Sequence, residues 1–207
     1  MPLIDPKRSL AMLFALLFGA ALAPVQGQSP LADSQLLETG QVAVAGHEVP
    51  YRIRKLPISS FPDLPEPVAQ ALATRHCLIP QTYEAHHPEN VIHGSLQGPG
   101  SSDWAVLCAA EGKVSLLIFF ANGAPDKPIV LSEVAETDRL QSHAPTGELG
   151  FNWGIDPASP KRIHDAQAGM THHPPTPDHD ALADSIVDQK TVYHLFRNGA
   201  WETLDID

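Results

Sequence analysis

Apolar positions along this chain fall mostly into short strand-length runs. Val49, Tyr51 and Ile53 alternate with Pro50, Arg52 and Arg54, the period of a half-buried strand. Residues 41–55 therefore read as two strands around a turn at 45–48, with Pro50 pointing to an edge position. The clearest β region follows at 91–134. It holds a short strand over 91–96, a glycine turn over 97–101, apolar strands over 103–109 and 114–121, and a fourth over 128–134. Such strands joined by short turns predict an antiparallel meander. The run Ser115-Leu-Leu-Ile-Phe-Phe120 is apolar on both faces, so it belongs at the centre, covered by helices on at least one side. Residues 191–197 and 200–206 flank Asn198-Gly199, the preferred type I′ dipeptide, and predict a C-terminal hairpin.

Helical spacing is rarer. Asp63-Leu-Pro-Glu66 resembles a capping box, and Val68, Ala71 and Leu72 follow on one face, which predicts a helix over 64–75. Ser159-Pro160 is an N-cap followed by a first-turn proline, opening a helix to about residue 168 that Gly169 stops. Leu182, Ala183 and Ile186 predict a third helix over 178–189. Residues 28–40 read as a loosely ordered lead-in, 142–160 as irregular and 171–177 as a stiff proline-rich connector. The predicted class is α+β: a mainly antiparallel sheet meander, two or three short helices and the C-terminal hairpin.

The first 27 residues read as a secretory signal peptide. Lys7 and Arg8 precede an apolar run of 14 residues, too short for the ~20 that a membrane span needs. Val25-Gln26-Gly27 offers small groups where cleavage requires them, so the cut falls after Gly27 and leaves 28–207 as one domain. Periplasmic or secreted localisation follows, with no stable membrane insertion after cleavage. The chain has 13 Lys+Arg against 24 Asp+Glu, a net charge of −11. That balance excludes nucleic acid as a partner, since phosphate binding needs clustered basic residues. Cys77 and Cys108 are the only cysteines, and in an oxidising compartment they predict one disulfide.

Eleven histidines fall partly into two groups. His172, His173 and His179 lie near Asp180 and Asp184, and His86 and His87 lie near Glu89. Imidazole with carboxylate suits zinc, copper or nickel, although no helix-spaced ligand pair is present. On a helix, Asp180, Asp184 and Asp188 would form one acidic stripe, and His179 with Asp184 an acid/base pair. No nucleophile elbow, P-loop or dinucleotide fingerprint occurs. The segment 151–157, Phe-Asn-Trp-Gly-Ile-Asp-Pro, carries aromatics that either bind sugars or peptides or plug onto the core.

The strings Asn90-Val-Ile-His-Gly-Ser95, Asp103-Trp-Ala-Val-Leu-Cys108 and His179-Asp-Ala-Leu-Ala-Asp184, with Tyr193 and Gly199-Ala-Trp201, resemble a group of uncharacterised secreted Gram-negative proteins. The resemblance implies export and brings no activity, cofactor or ligand. Residues 94–108 also resemble one blade of an FG-GAP-type propeller, but one unit cannot build that fold. The leading expectation is an exported, non-catalytic binding or interaction module whose cofactor and partner are unknown. The alternative is a metal-binding protein or metal-dependent hydrolase using the two His/Asp groups.

Overall fold

The structure is a computed structural model and describes residues 37–143, 145, 147–170 and 175–205. The signal-peptide and cleavage expectations lie outside these residues, as do 28–36 of the lead-in and 171–174 of the connector. The chain is mostly β-strand, with thirteen strands and two α-helices among the described residues.

Strands β1 (Leu37–Val44) and β2 (His47–Leu56) open the fold and pair antiparallel across Ala45-Gly46, both at positive φ. Residues 37–40 thus belong to a strand, not to a loose lead-in, because Leu37 and Gly40 pair with Arg54 and Tyr51. Helix α1 (Glu66–Thr74) starts after Pro65 and presents Val68 and Leu72 to the core. Strand β3 (Ile79–Gln81) pairs with β2.

Strands β4 (Val91–Gly94), β5 (Asp103–Ala110), β6 (Lys113–Phe119) and β7 (Ile129–Ala135) form the expected antiparallel meander. Both faces of β6 are covered. Leu117 and Phe119 pack with Val106 and Cys108 against Val68 and Leu72 of α1. Val114, Leu116 and Ile118 enter the main core. The Cys77–Cys108 disulfide ties the exit of α1 to the C-terminal half of β5, with Cα atoms 5.1 Å apart.

Strands β8 (Leu140–Ser142) and β9 (Leu149–Phe151) add to the first sheet, whose order is β1-β2-β9-β8, β2 and β9 running parallel. Strand β10 (Trp153–Ala158) leads the third sheet. Residues 142–160 are therefore not irregular throughout. Phe151, Trp153 and Ile155 alternate with Asn152, Gly154 and Asp156, and the three apolar side chains are buried. Pro157 is tolerated because β10 is an edge strand.

Helix α2 (Pro160–Ala166) begins as its sequence predicts, the Ser159 hydroxyl accepting from the Arg162 amide at 3.3 Å. Strands β11 (Ala181–Ile186), β12 (Lys190–Arg197) and β13 (Ala200–Asp205) complete the third sheet, antiparallel in the order β10-β11-β12-β13. The helix expected over 178–189 is thus replaced by β11, which runs between β10 and β12. Ala181, Leu182 and Ala183 are consecutive and all buried, a two-faced burial that a central strand provides and an amphipathic helix does not.

One core joins the three sheets. It takes Ile53 and Phe151 from the first, Leu107, Leu116 and Ile118 from the second, and Trp153, Ile155 and Leu182 from the third. The aromatics of 151–157 therefore plug the core, Phe151 and Trp153 both being fully buried.

Candidate functional site

The histidine and aspartate groups are dispersed by the fold. His172 and His173 lie outside the described residues. The His179 ring faces the Phe196 carbonyl through Nε2 at 3.0 Å and Asp178 through Nδ1 at 2.9 Å. That contact, hydrogen bonding first, holds the Asp178 carboxyl below its ordinary range. Asp180 accepts the Ser95 amide at 3.0 Å. Asp184 accepts the Trp153 indole N–H at 2.5 Å and lies 3.1 Å from His194 Nε2. The histidine beside Asp184 is therefore His194 rather than His179.

Because β11 is a strand, Asp180, Asp184 and Asp188 form no helical stripe. Asp188 sits past the strand at positive φ and accepts the Tyr83 hydroxyl at 3.2 Å. In the other group His86 and His87 are exposed, while Glu89 turns inward to accept the Thr82 amide at 2.7 Å. Among the described residues no three His, Cys, Asp or Glu side chains come together as a metal would require.

A different constellation forms at one end of the second sheet. The β4–β5 register sets Trp104 opposite His93, and the β5–β6 register sets it opposite Phe119. Trp104 shares the face that α1 covers but remains half-exposed. The His93 ring lies against the indole, centroids 4.7 Å apart and planes tilted 33°. His93 Nε2 is 2.8 Å from the Ser102 hydroxyl. Ser102 stands beside a loop fixed by the fully buried Asp103, which accepts the Gln97 amide at 2.7 Å, the Ser101 hydroxyl at 2.5 Å and the Ala121 amide at 2.9 Å.

Grooves flank the indole on both sides. One, of about 600 Å³, lies between Trp104 and the segment carrying Phe61, Pro62 and Asp63, closed by Pro88. The other, of about 250 Å³, runs from Trp104 past Phe120 to Pro65, Pro67 and Pro125. Asp63 is the one formally charged residue lining either groove. The surface is therefore suited to a flat apolar face bordered by hydroxyls and hostile to anions. The sequence offers no cue to this site. Its parts come from residues 60–68, 88–93, 102–104 and 119–125, and only the fold makes them neighbours.

No family model, no curated protein and no solved structure matches this chain.

Proposed function

We propose that this chain is an exported, non-catalytic binding module that holds an uncharged saccharide chain across Trp104. The observation that carries the reading is the half-exposed indole between two grooves. Five prolines stand in their walls, Pro62 and Pro88 in one and Pro65, Pro67 and Pro125 in the other, and their fixed φ limits the ordering cost of binding. A sugar ring offers a C–H face to the indole and hydroxyls to Ser60, Asp63 and the His93–Ser102 pair, all of which border it. A purely apolar peptide face would offer Ser60 and Asp63 no partner. Export is supported by the leader-like start and by the Cys77–Cys108 disulfide, a bond at home in an oxidising compartment.

The test is calorimetric titration of the full-length chain's secreted product with neutral hexasaccharides of glucose and N-acetylglucosamine. Saturable binding with Kd on the order of 10–1,000 μM is expected for one of them. It should weaken at least tenfold in W104A and in D63N, both checked for native circular dichroism. Binding of a proline-rich peptide with no binding of any saccharide overturns the ligand class. Hydrolysis of a bound saccharide that H93A abolishes overturns the non-catalytic reading. Protein that remains in the cytoplasm with its first 27 residues attached overturns export.

A further inference from the structure

The outer face of the first sheet carries a feature unlike the rest of this acidic molecule. In Tyr51-Arg52-Ile53-Arg54 the alternation sends Ile53 into the core and both arginines to the opposite face. Arg52 pairs in register with Thr39 and Gly150, and Arg54 with Leu37 and Gln81. Gly150 leaves a notch in that face. The notch is filled by Tyr83 and His143, stacked with centroids 4.7 Å apart and planes within 10°. A Cβ at residue 150 would stand 2.7 Å from both the Tyr83 Cβ and the His143 ring, so only glycine admits the pair.

The result is a cavity of about 320 Å³, with the two arginines as floor and the Tyr83–His143 stack as wall. Residues two apart on a strand are spaced by about 7 Å, so two guanidiniums can approach one small group from two sides. Both are already aimed. Arg52 Nη2 lies 3.3 Å from Glu148 Oε1, and Arg54 Nη2 donates to the Ala85 carbonyl at 3.3 Å. Each guanidinium has five N–H donors in a planar fork, more than a single acceptor engages. Glu148 offsets the charge of Arg52, whereas Arg54 meets a neutral carbonyl, so the cavity keeps net positive character in a chain of net charge −11. The Tyr83 hydroxyl is turned away toward Asp188, which leaves the stack as a flat wall rather than a hydroxyl donor.

The geometry points to a binding site for a small organic anion. Its oxyanion group sits on Arg52 and Arg54, and its flat ring lies against the His143–Tyr83 stack. The site is separate in residues and opposite in charge preference from the Trp104 grooves. Carboxylate and phosphate share the recognising chemistry, and the experiment separates them.

The test titrates the full chain by calorimetry and thermal shift at fixed ionic strength with phenyl phosphate, benzoate, inorganic phosphate and benzyl alcohol. Saturable binding of phenyl phosphate or benzoate is expected, whichever is tighter naming the oxyanion, with benzyl alcohol inert. R54Q should weaken it at least tenfold. H143A should weaken the aromatic anion while leaving inorganic phosphate unchanged. E148Q removes the competing carboxylate and should tighten binding two- to fivefold. Rising sodium chloride should weaken every anion. Equal responses to benzyl alcohol and the anions overturn the proposal, as does binding that folded R54Q retains or the absence of any saturable anion binding.

Discussion

Lys55 carries a charge into the interior of the first sheet, where it is only 8% exposed. Its ammonium contacts Glu136 at 2.8 Å and Glu38 at 2.5 Å. Burial alone pulls the Lys55 pKa down, but hydrogen bonds to and charges on Glu136 and Glu38 outweigh it and leave the group above its ordinary 10.5. Glu136 is itself pushed up, burial being the largest cause, against the pull of Lys55. Removing Lys55 leaves Glu136 buried without its counter-charge, so K55M should cost on the order of 3 kcal/mol at neutral pH. The double variant K55M/E136L removes both charges and should recover most of that loss. The pH dependence has a definite sign. A lysine whose folded pKa is raised contributes stability that is whole below its unfolded value and fades as pH climbs through the folded one. Urea midpoints of the parent should therefore fall above about pH 10.5, and those of K55M should fall less. Parallel alkaline limbs for the two proteins would refute this account of Lys55.

At the scale of elements, the Cys77–Cys108 bridge fastens α1 to the second sheet. Helix α1 has nine residues, too few to persist alone in water, so its helicity depends on packing Val68 and Leu72 against Val106, Leu117 and Phe119. The bridge closes a loop with a sequence separation of 31, and C77A/C108A should cost about 2–4 kcal/mol. Urea denaturation of the oxidised parent and the double variant measures it, and equal midpoints would show that packing alone holds the helix. What the sequence reveals about elements follows from how local their causes are. The strands of the second sheet and the cap at Ser159 are legible because short apolar runs, tight turns and a capping hydroxyl act within a few residues. Strand β11 is not. Its aspartates suggest a solvated helix until Trp153 supplies Asp184 with a buried donor from another strand. The same holds for the grooves around Trp104, since nothing near that residue in sequence announces Phe61, Pro67 or Phe120 as neighbours. The disulfide, by contrast, follows from having only two cysteines to pair.

The whole molecule is held at a point that no hydrophobic pattern marks. Asn90 is 1% exposed and sits at φ 69°, a region that asparagine enters more readily than most residues. Its Nδ2 donates to the Pro80 carbonyl at 2.7 Å and to the Trp153 carbonyl at 3.2 Å, and its Oδ1 accepts the Ile155 amide at 3.0 Å. Its own carbonyl accepts the Leu107 amide at 3.0 Å. Pro80 belongs to the first sheet, Leu107 to the second, and Trp153 and Ile155 to the third, so one residue bridges all three. The shared core runs through the same junction. Loosening one sheet therefore strips partners from the others, and the described fold should unfold as one cooperative unit. N90A deletes three side-chain bonds, taking a donor from the Pro80 and Trp153 carbonyls and the side-chain acceptor from the Ile155 amide, and forces alanine into a left-handed backbone. A loss of about 3 kcal/mol or more is expected. Trp104 in the second sheet and Trp153 and Trp201 in the third provide the readout. In variants that keep one of these indoles at a time, fluorescence should give a common urea midpoint with the far-ultraviolet circular dichroism of the same protein. Introducing N90A should lower both signals together. If the two signals separate, or if N90A shifts the Trp153 signal while sparing Trp104, the sheets unfold independently and Asn90 is a local staple rather than the junction of the fold.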